Sequence, residues 1–229
     1  MEVVHFGHAA VGLTARRAPS PGFRLLFDPY EPQGFGGAMG FSPIDFEPDV
    51  VLCTHAHLDH AHAAPFARAL RFPREGLQGG PVPGGEPWGL RALDVAHDPF
   101  DGALRGGRSW CLRVVLDGLR VVHLGDLGET PPQDRLDLLT GGEPVDLLLA
   151  TCGGCYTMGP DQAAELALRL QARVVLPIHH QDPRCGLPGL HRAELLVRRF
   201  GGVLEVGERF ELDPQRLPAW GTALRGSRV

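Results

Sequence analysis

The run His55-Ala56-His57-Leu58-Asp59-His60 decides how the rest of this 229-residue chain is read. It follows Asp49-Val50-Val51-Leu52-Cys53, an apolar stretch that reads as a buried strand. Neutral imidazoles and ionised carboxylates at a strand end are good ligands for zinc and similar ions. Residues two apart on a strand point the same way, so His55 and His57 can share one ion. A turn at Leu58 swings Asp59 and His60 toward a neighbouring position. One tetrahedral site can hardly use all of these side chains. Two ions a few ångströms apart can, as in two-metal hydrolysis.

Upstream of this run, residues 3–6, 10–14 and 24–27 read as short strands of a meander. Residues 29–48 are rich in Gly, Pro and Phe without a period, and read as a long functional loop. Downstream, 63–70 reads as a helix and 77–87 as a Gly/Pro-rich connector. Strands are expected at 90–95, 110–116 and 120–124, the last two joined by the hairpin dipeptide Asp117-Gly118. The pattern then alternates: helix 133–139, strand 145–150, helix 162–170, strand 173–177, helix 191–200. Strands first and alternation afterwards predict sheets flanked by helices. The expected organisation is one domain over 1–212 and a poorly ordered C-terminal tail over 213–229.

Other motifs appear in order around the His run. They are Gly7-His8-Ala9-Ala10, Leu26-Phe27-Asp28-Pro29, Val95-Ala96-His97-Asp98 and His123-Leu124-Gly125-Asp126. Gly153-Gly154-Cys155-Tyr156-Thr157-Met158-Gly159-Pro160 and Leu176-Pro177-Ile178-His179-His180 complete the set. Together they resemble the metallo-β-lactamase superfamily over about residues 1–212. The nearer resemblance is to small bacterial metal-dependent hydrolases related to ascorbate-6-phosphate lactonase and N-acyl-phosphatidylethanolamine phospholipase. The fold this implies is α/β, a four-layer αββα sandwich with the site along one edge between the sheets.

The resemblance implies that His55, His57 and His97 bind a first metal, that Asp59, His60 and His179 bind a second, and that Asp126 bridges them. Asp28 is the aspartate that buttresses the site. The cofactor expectation is two divalent metal ions, zinc first, with manganese or iron also suited to a shell of nitrogen and oxygen donors. The proposed chemistry is attack of a hydroxide held between the metals on a carbonyl or phosphoryl centre. Asp59 orients that hydroxide or takes its proton, and His180 is a candidate leaving-group acid or substrate contact. His8 and His123 are read as hydrogen-bonding to the ligands. His5, His62 and His191 get the structural or exposed reading.

The formal net charge of −5 gives no attraction to nucleic acid, and every basic residue is Arg. No apolar stretch approaches a bilayer-spanning length and no export signal opens the chain, so a cytoplasmic location is expected. The odd cysteine count fits reduced thiols. The spacing Cys152-Gly-Gly-Cys155 is that of a dithiol, but no second pair follows, so it reads as coincidence. The expected partner is a small-molecule substrate, with lactones, phosphodiesters, amides and thioesters all open, and homo-oligomers are common among such relatives. The alternatives are a mononuclear iron dioxygenase of the same fold and a non-catalytic metal-binding protein. His60 and His179 weigh against the first, and the full ligand set against the second.

Overall fold

Short β-branched and Leu-rich runs, closed by Gly, Pro and Asp turns, pair into two sheets. The structure, a computed structural model, describes all residues except 18–19, 67–69, 73–79, 105–106, 219 and 227–229. The first sheet contains β1 (Glu2–Gly7), β2 (Ala10–Thr14), β3 (Arg24–Phe27), β4 (Val50–Leu52), β5 (Leu70–Phe72) and β13 (Arg209–Glu211). Its order is β13-β1-β2-β3-β4-β5, with β3, β4 and β5 parallel.

The second sheet contains β6 (Gly80–Pro81), β7 (Arg91–Ala96), β8 (Arg108–Leu116), β9 (Leu119–His123), β10 (Leu147–Thr151), β11 (Val174–Ile178), β12 (Gly202–Val206) and β14 (Thr222–Gly226). Its order is β12-β14-β11-β10-β9-β8-β7-β6. The pairs from β9 to β12 are parallel and the rest antiparallel.

Side chains alternate across each strand, so one sequence serves two cores. Val11, Leu13, Leu25, Phe27, Leu112, Leu147, Leu149 and Leu176 meet between the sheets. Val122, Leu148, Ala150 and Val175 face the other way, toward helices. These are α2 (Gln133–Thr140), α3 (Pro160–Arg169) and α4 (Ala193–Val197). Pro160 opens α3 where no N–H is needed, and Gln162 Oε1 accepts the Gly159 N–H at 3.0 Å. Burial of each Leu or Val in these layers contributes about 1.5–3 kcal/mol.

On the first sheet's side, residues 30–46 supply a third cluster. Tyr30, Met39 and Phe41 pack with Ala10, Cys185 and Leu190. Tyr30 Oη donates to Ser42 O at 2.7 Å. The loop expected over 29–48 is therefore a packed segment, with one irregular turn, α1 (Gly34–Gly37). The helix expected over 63–70 lies partly outside the described residues; what is described is a 3-10 turn, Ala64–Phe66, and the start of β5 at Leu70.

The tail expected after 212 also differs. Thr222–Gly226 inserts as an interior strand between β11 and β12 and buries Ala223 and Leu224. Its partners are distant in sequence, so no local signal marks it. No described helix is long and apolar enough to cross a membrane.

The topology gathers strand ends at one edge of the sandwich. His8 follows β1, Asp28 follows β3, and His55 to His60 follow β4. His97 follows β7, Asp126 follows β9 and His179 follows β11.

Candidate metal centre

The site begins with Asp28, which has a left-handed backbone (φ 41°) directly after β3 and is fully buried. Its Oδ1 accepts the Thr54 N–H at 2.7 Å and its Oδ2 accepts the Thr54 hydroxyl at 2.7 Å. The same Oδ2 accepts His60 Nδ1–H at 2.8 Å. One carboxylate thus fixes the turn after β4 and the tautomer of His60, leaving His60 Nε2 to face the cluster. Burial works against a charged His60, but the carboxylates of Asp126, Asp59 and Asp28 outweigh it and hold that imidazole well above its ordinary value.

Asp126 is placed by the turn after β9. Gly125 has φ 56°, and a Cβ there would lie 2.6 Å from Trp110 O and 2.7 Å from Ser109 Oγ, so only glycine fits. His123 donates from Nε2 to Ala9 O at 2.9 Å and accepts the Gly125 N–H on Nδ1 at 2.9 Å. Both its nitrogens are used on backbone, so it braces the turn that carries Asp126 and does not bond a ligand side chain as its sequence position suggested. Ser109 Oγ accepts the Asp126 N–H at 3.1 Å.

From this turn the Asp126 carboxylate reaches both halves of the site. Oδ2 lies 3.1 Å from His97 Nε2, 3.5 Å from His179 Nε2 and 3.7 Å from His55 Nε2. Oδ1 lies 3.3 Å from His60 Nε2. His55 Nε2 and His57 Nδ1 face each other at 3.0 Å. Four donors about 2.0–2.1 Å from a zinc ion stand about 3.3 Å apart along the edges of the tetrahedron. The observed separations, from 3.0 to 3.7 Å, are compatible with that spacing.

Two groups of ligand atoms result, each within 4.8 Å: His55, His57, His97 and Asp126 in one, and His8, Asp59, His60 and His179 in the other. Every residue expected as a metal ligand is in one of them. Among the described residues, the buried side-chain nitrogens and oxygens without a hydrogen-bond partner are concentrated here. They include Asp59 Oδ1, His60 Nε2, His97 Nε2 and Asp126 Oδ1. Buried polar atoms left this way are costly, and a cation would satisfy them. The donor set therefore fits divalent ions. Burial, reinforced by His60, pushes His55 down to about 3. Burial also pushes His179 down to about 3, against the pull of Asp126. Both are thus in the neutral form that ligates metal.

His8 makes the hydrogen bond to a ligand that its sequence position suggested, and one of its ring nitrogens also falls within the second group. Its Nε2 is 3.0 Å from Asp59 Oδ2 and its ring 4.1 Å from that of His179. Its position at a strand end, directly after a glycine, was the available signal. His180 belongs to neither group. Its Nδ1 lies 3.0 Å from Gln181 O and its ring centroid 6.3 Å from that of His5. β11 ends at Ile178 and His179 has a left-handed backbone (φ 49°), so the chain turns between the strand and His180. Cys152 is buried and Cys155 exposed. The cluster opens to solvent beside His57 and Leu58, the latter 52% exposed.

The family described as "Beta-lactamase superfamily domain" matches residues 2–179. A "UPF0173 metal-dependent hydrolase" of Opitutus terrae is 31% identical, covering 93% of this chain and 100% of its own. One from Thermococcus onnurineus is 28% identical over 90% of this chain and all of its own. Among solved structures, a metallo-beta-lactamase superfamily protein of Thermotoga maritima has a TM-score of 0.69 at 23% identity, covering 99% of both chains. Igni18, a metallo hydrolase of Ignicoccus hospitalis, has a TM-score of 0.56 at 19% identity over 86% of this chain and 89% of its own.

Proposed function

For a chain that belongs to the UPF0173 metal-dependent hydrolases of the beta-lactamase superfamily, we propose hydrolysis at an acyl or phosphoryl centre of a small molecule, with two divalent ions held side by side. The observation that carries this reading is the Asp126 carboxylate, within 3.7 Å of imidazole nitrogens from both ligand groups. His55, His57 and His97 would hold one ion, Asp59, His60 and His179 the other, and Asp126 would be shared. Ions bound there would lower the pKa of water toward about 7 and polarise the substrate oxygen. The nitrogen-rich donor set suits zinc, and also accepts manganese or iron.

Asp59 has the geometry to orient the attacking water. Its Oδ2 is held by His8 at 3.0 Å, while Oδ1 is buried and has no hydrogen-bond partner among the described residues. A water presented to Oδ1 would be oriented by it, while His60 and His8, against the effect of burial, hold the Asp59 carboxyl well below the usual carboxylate range and so favour orientation over proton uptake.

The test is metal analysis of protein purified without added ions, joined to a hydrolysis screen over lactones, phosphodiesters, amides and thioesters. Two ions per chain with turnover in one class is the expected result. Two ions without turnover in any class would refute hydrolysis at these centres. A single iron per chain would favour the dioxygenase reading.

A further inference from the structure

A second cavity lies where β11 and β14 part. The two strands are in register at Val174–Thr222 and Val175–Ala223, and their pairing ends there. Both strands continue: β11 to Ile178 beside β10, and β14 to Gly226 beside β12. Pro177 is the reason. Backbone groups along β11 alternate sides. Ile178 O accepts the Cys152 N–H on the β10 side, and Arg173 O accepts the Thr222 N–H on the β14 side. Position 177 therefore faces β14, and proline has no N–H to donate. The ladder fails after Val175 and the strands fork.

A cavity of about 480 Å³ fills the fork, within the range that small ligands occupy. It lies outside the carboxyl ends of parallel strands, where open α/β sheets place ligands. Leu176, Val206, Phe210 and Leu224 give it an apolar wall. The opposite side is rich in acceptors. His180 Nδ1 faces Gln181 O and so carries the proton, leaving Nε2 as an acceptor. His5 Nε2 faces His8 O at 3.3 Å, leaving Nδ1 as an acceptor.

The carboxylates of Asp182, Glu194 and Glu208 also line the cavity, against the guanidiniums of Arg184 and Arg225. The carboxylates outnumber the guanidiniums, and two of them share Arg184. Arg184 pairs with Asp182 at 3.0 Å and Glu208 at 3.1 Å, and Arg225 with Glu205 at 2.9 Å. The lining thus has surplus negative charge and acceptor nitrogens beside an apolar surface, a poor match for an anion and a good one for a cationic amphiphile.

We propose that the fork between β11 and β14 is a ligand site separate from the metal centre, and that it takes an amphiphilic primary amine. The ammonium donates to the imidazole and carboxylate acceptors, and the alkyl or aryl body lies on Leu176, Val206, Phe210 and Leu224. The site is close to the metal ligands: His5 Nε2 and the His179 N–H both reach His8 O. An amine could also bind a metal directly, so the test must separate the two.

Isothermal titration of the metal-loaded chain with n-heptylamine, heptanoate and 1-heptanol, repeated after removal of metal by a chelator, does so. Heptylamine is expected to bind about tenfold more tightly than heptanoate, with or without metal. Ala193→Trp, which fills the cavity from α4, is expected to abolish binding. Glu194→Gln, on the same turn, is expected to weaken it about fivefold. Circular dichroism and metal content check that each variant is folded. Equal or tighter binding of heptanoate, binding lost with the metal, binding unchanged in both variants, or no binding of any probe would each overturn the proposal.

Discussion

Asp28 accepts a hydrogen bond from His60 Nδ1 at 2.8 Å, and through it aims His60 Nε2 at Asp126 Oδ1, 3.3 Å away. Neither Asp28 oxygen is in a ligand group, yet the second group depends on it. Asp28→Ala is expected to weaken binding of one metal equivalent by about 10- to 100-fold and leave the other near its original affinity. Chelator competition followed by metal analysis reads this directly. Equal weakening of both equivalents would mean that Asp28 supports the whole edge of the fold.

Gly125→Ala tests the turn that carries Asp126. A methyl group there meets Trp110 O, Ser109 Oγ and the Thr54 Cβ, on a backbone with φ 56°. The expected cost is about 3 kcal/mol or more, combining the clash with backbone strain. Denaturant unfolding measures it, and metal content should fall with it.

Removal of single ligands should separate the two positions. His57→Ala and His60→Ala are each expected to lose one ion per chain, from different groups. Metal analysis of the double variant should then show neither ion. If both single variants lost all metal, the two positions would form one cooperative unit.

Stability of the metal-free chain should depend on pH through His5. Burial, with His180 next, lowers its pKa from 6.5 to about 4. The folded value is depressed, so the unfolded chain binds the proton first as pH falls. Stability is then full above pH about 6.5 and is lost progressively down to about 4, by at most about 3 kcal/mol from this residue. Urea unfolding of His5→Gln against the parent should show a shallower decline over that window. An unchanged slope would remove His5 from the account.

Much of this was legible because the chemistry sits at strand ends. The strands Ala10–Thr14 and Arg24–Phe27 have the bounds their sequences suggest, since each is a short apolar run closed by turn residues. The His run after β4 announces metal by residue type alone. What stayed hidden depends on distant partners. In β12, Val203 and Leu204 are exposed, so no buried face marks the strand. The strand β14 is identified only by parallel pairing with β11 and β12. The place of His8 within the second group required the ends of β1 and β4, with two strands between them in one sheet, and of β11 in the other to reach one edge. Pro177 looked like the end of a strand, whereas β11 runs through it to Ile178 and only its pairing with β14 stops.

The central claim is that two ions occupy adjacent positions and share Asp126. Electron paramagnetic resonance of the chain titrated with Mn(II) tests it most directly. An exchange-coupled signal is expected to grow in as the second equivalent binds and to be replaced by uncoupled Mn(II) in Asp126→Ala. Saturation at one equivalent, or two equivalents with no coupling in the parent chain, would contradict it.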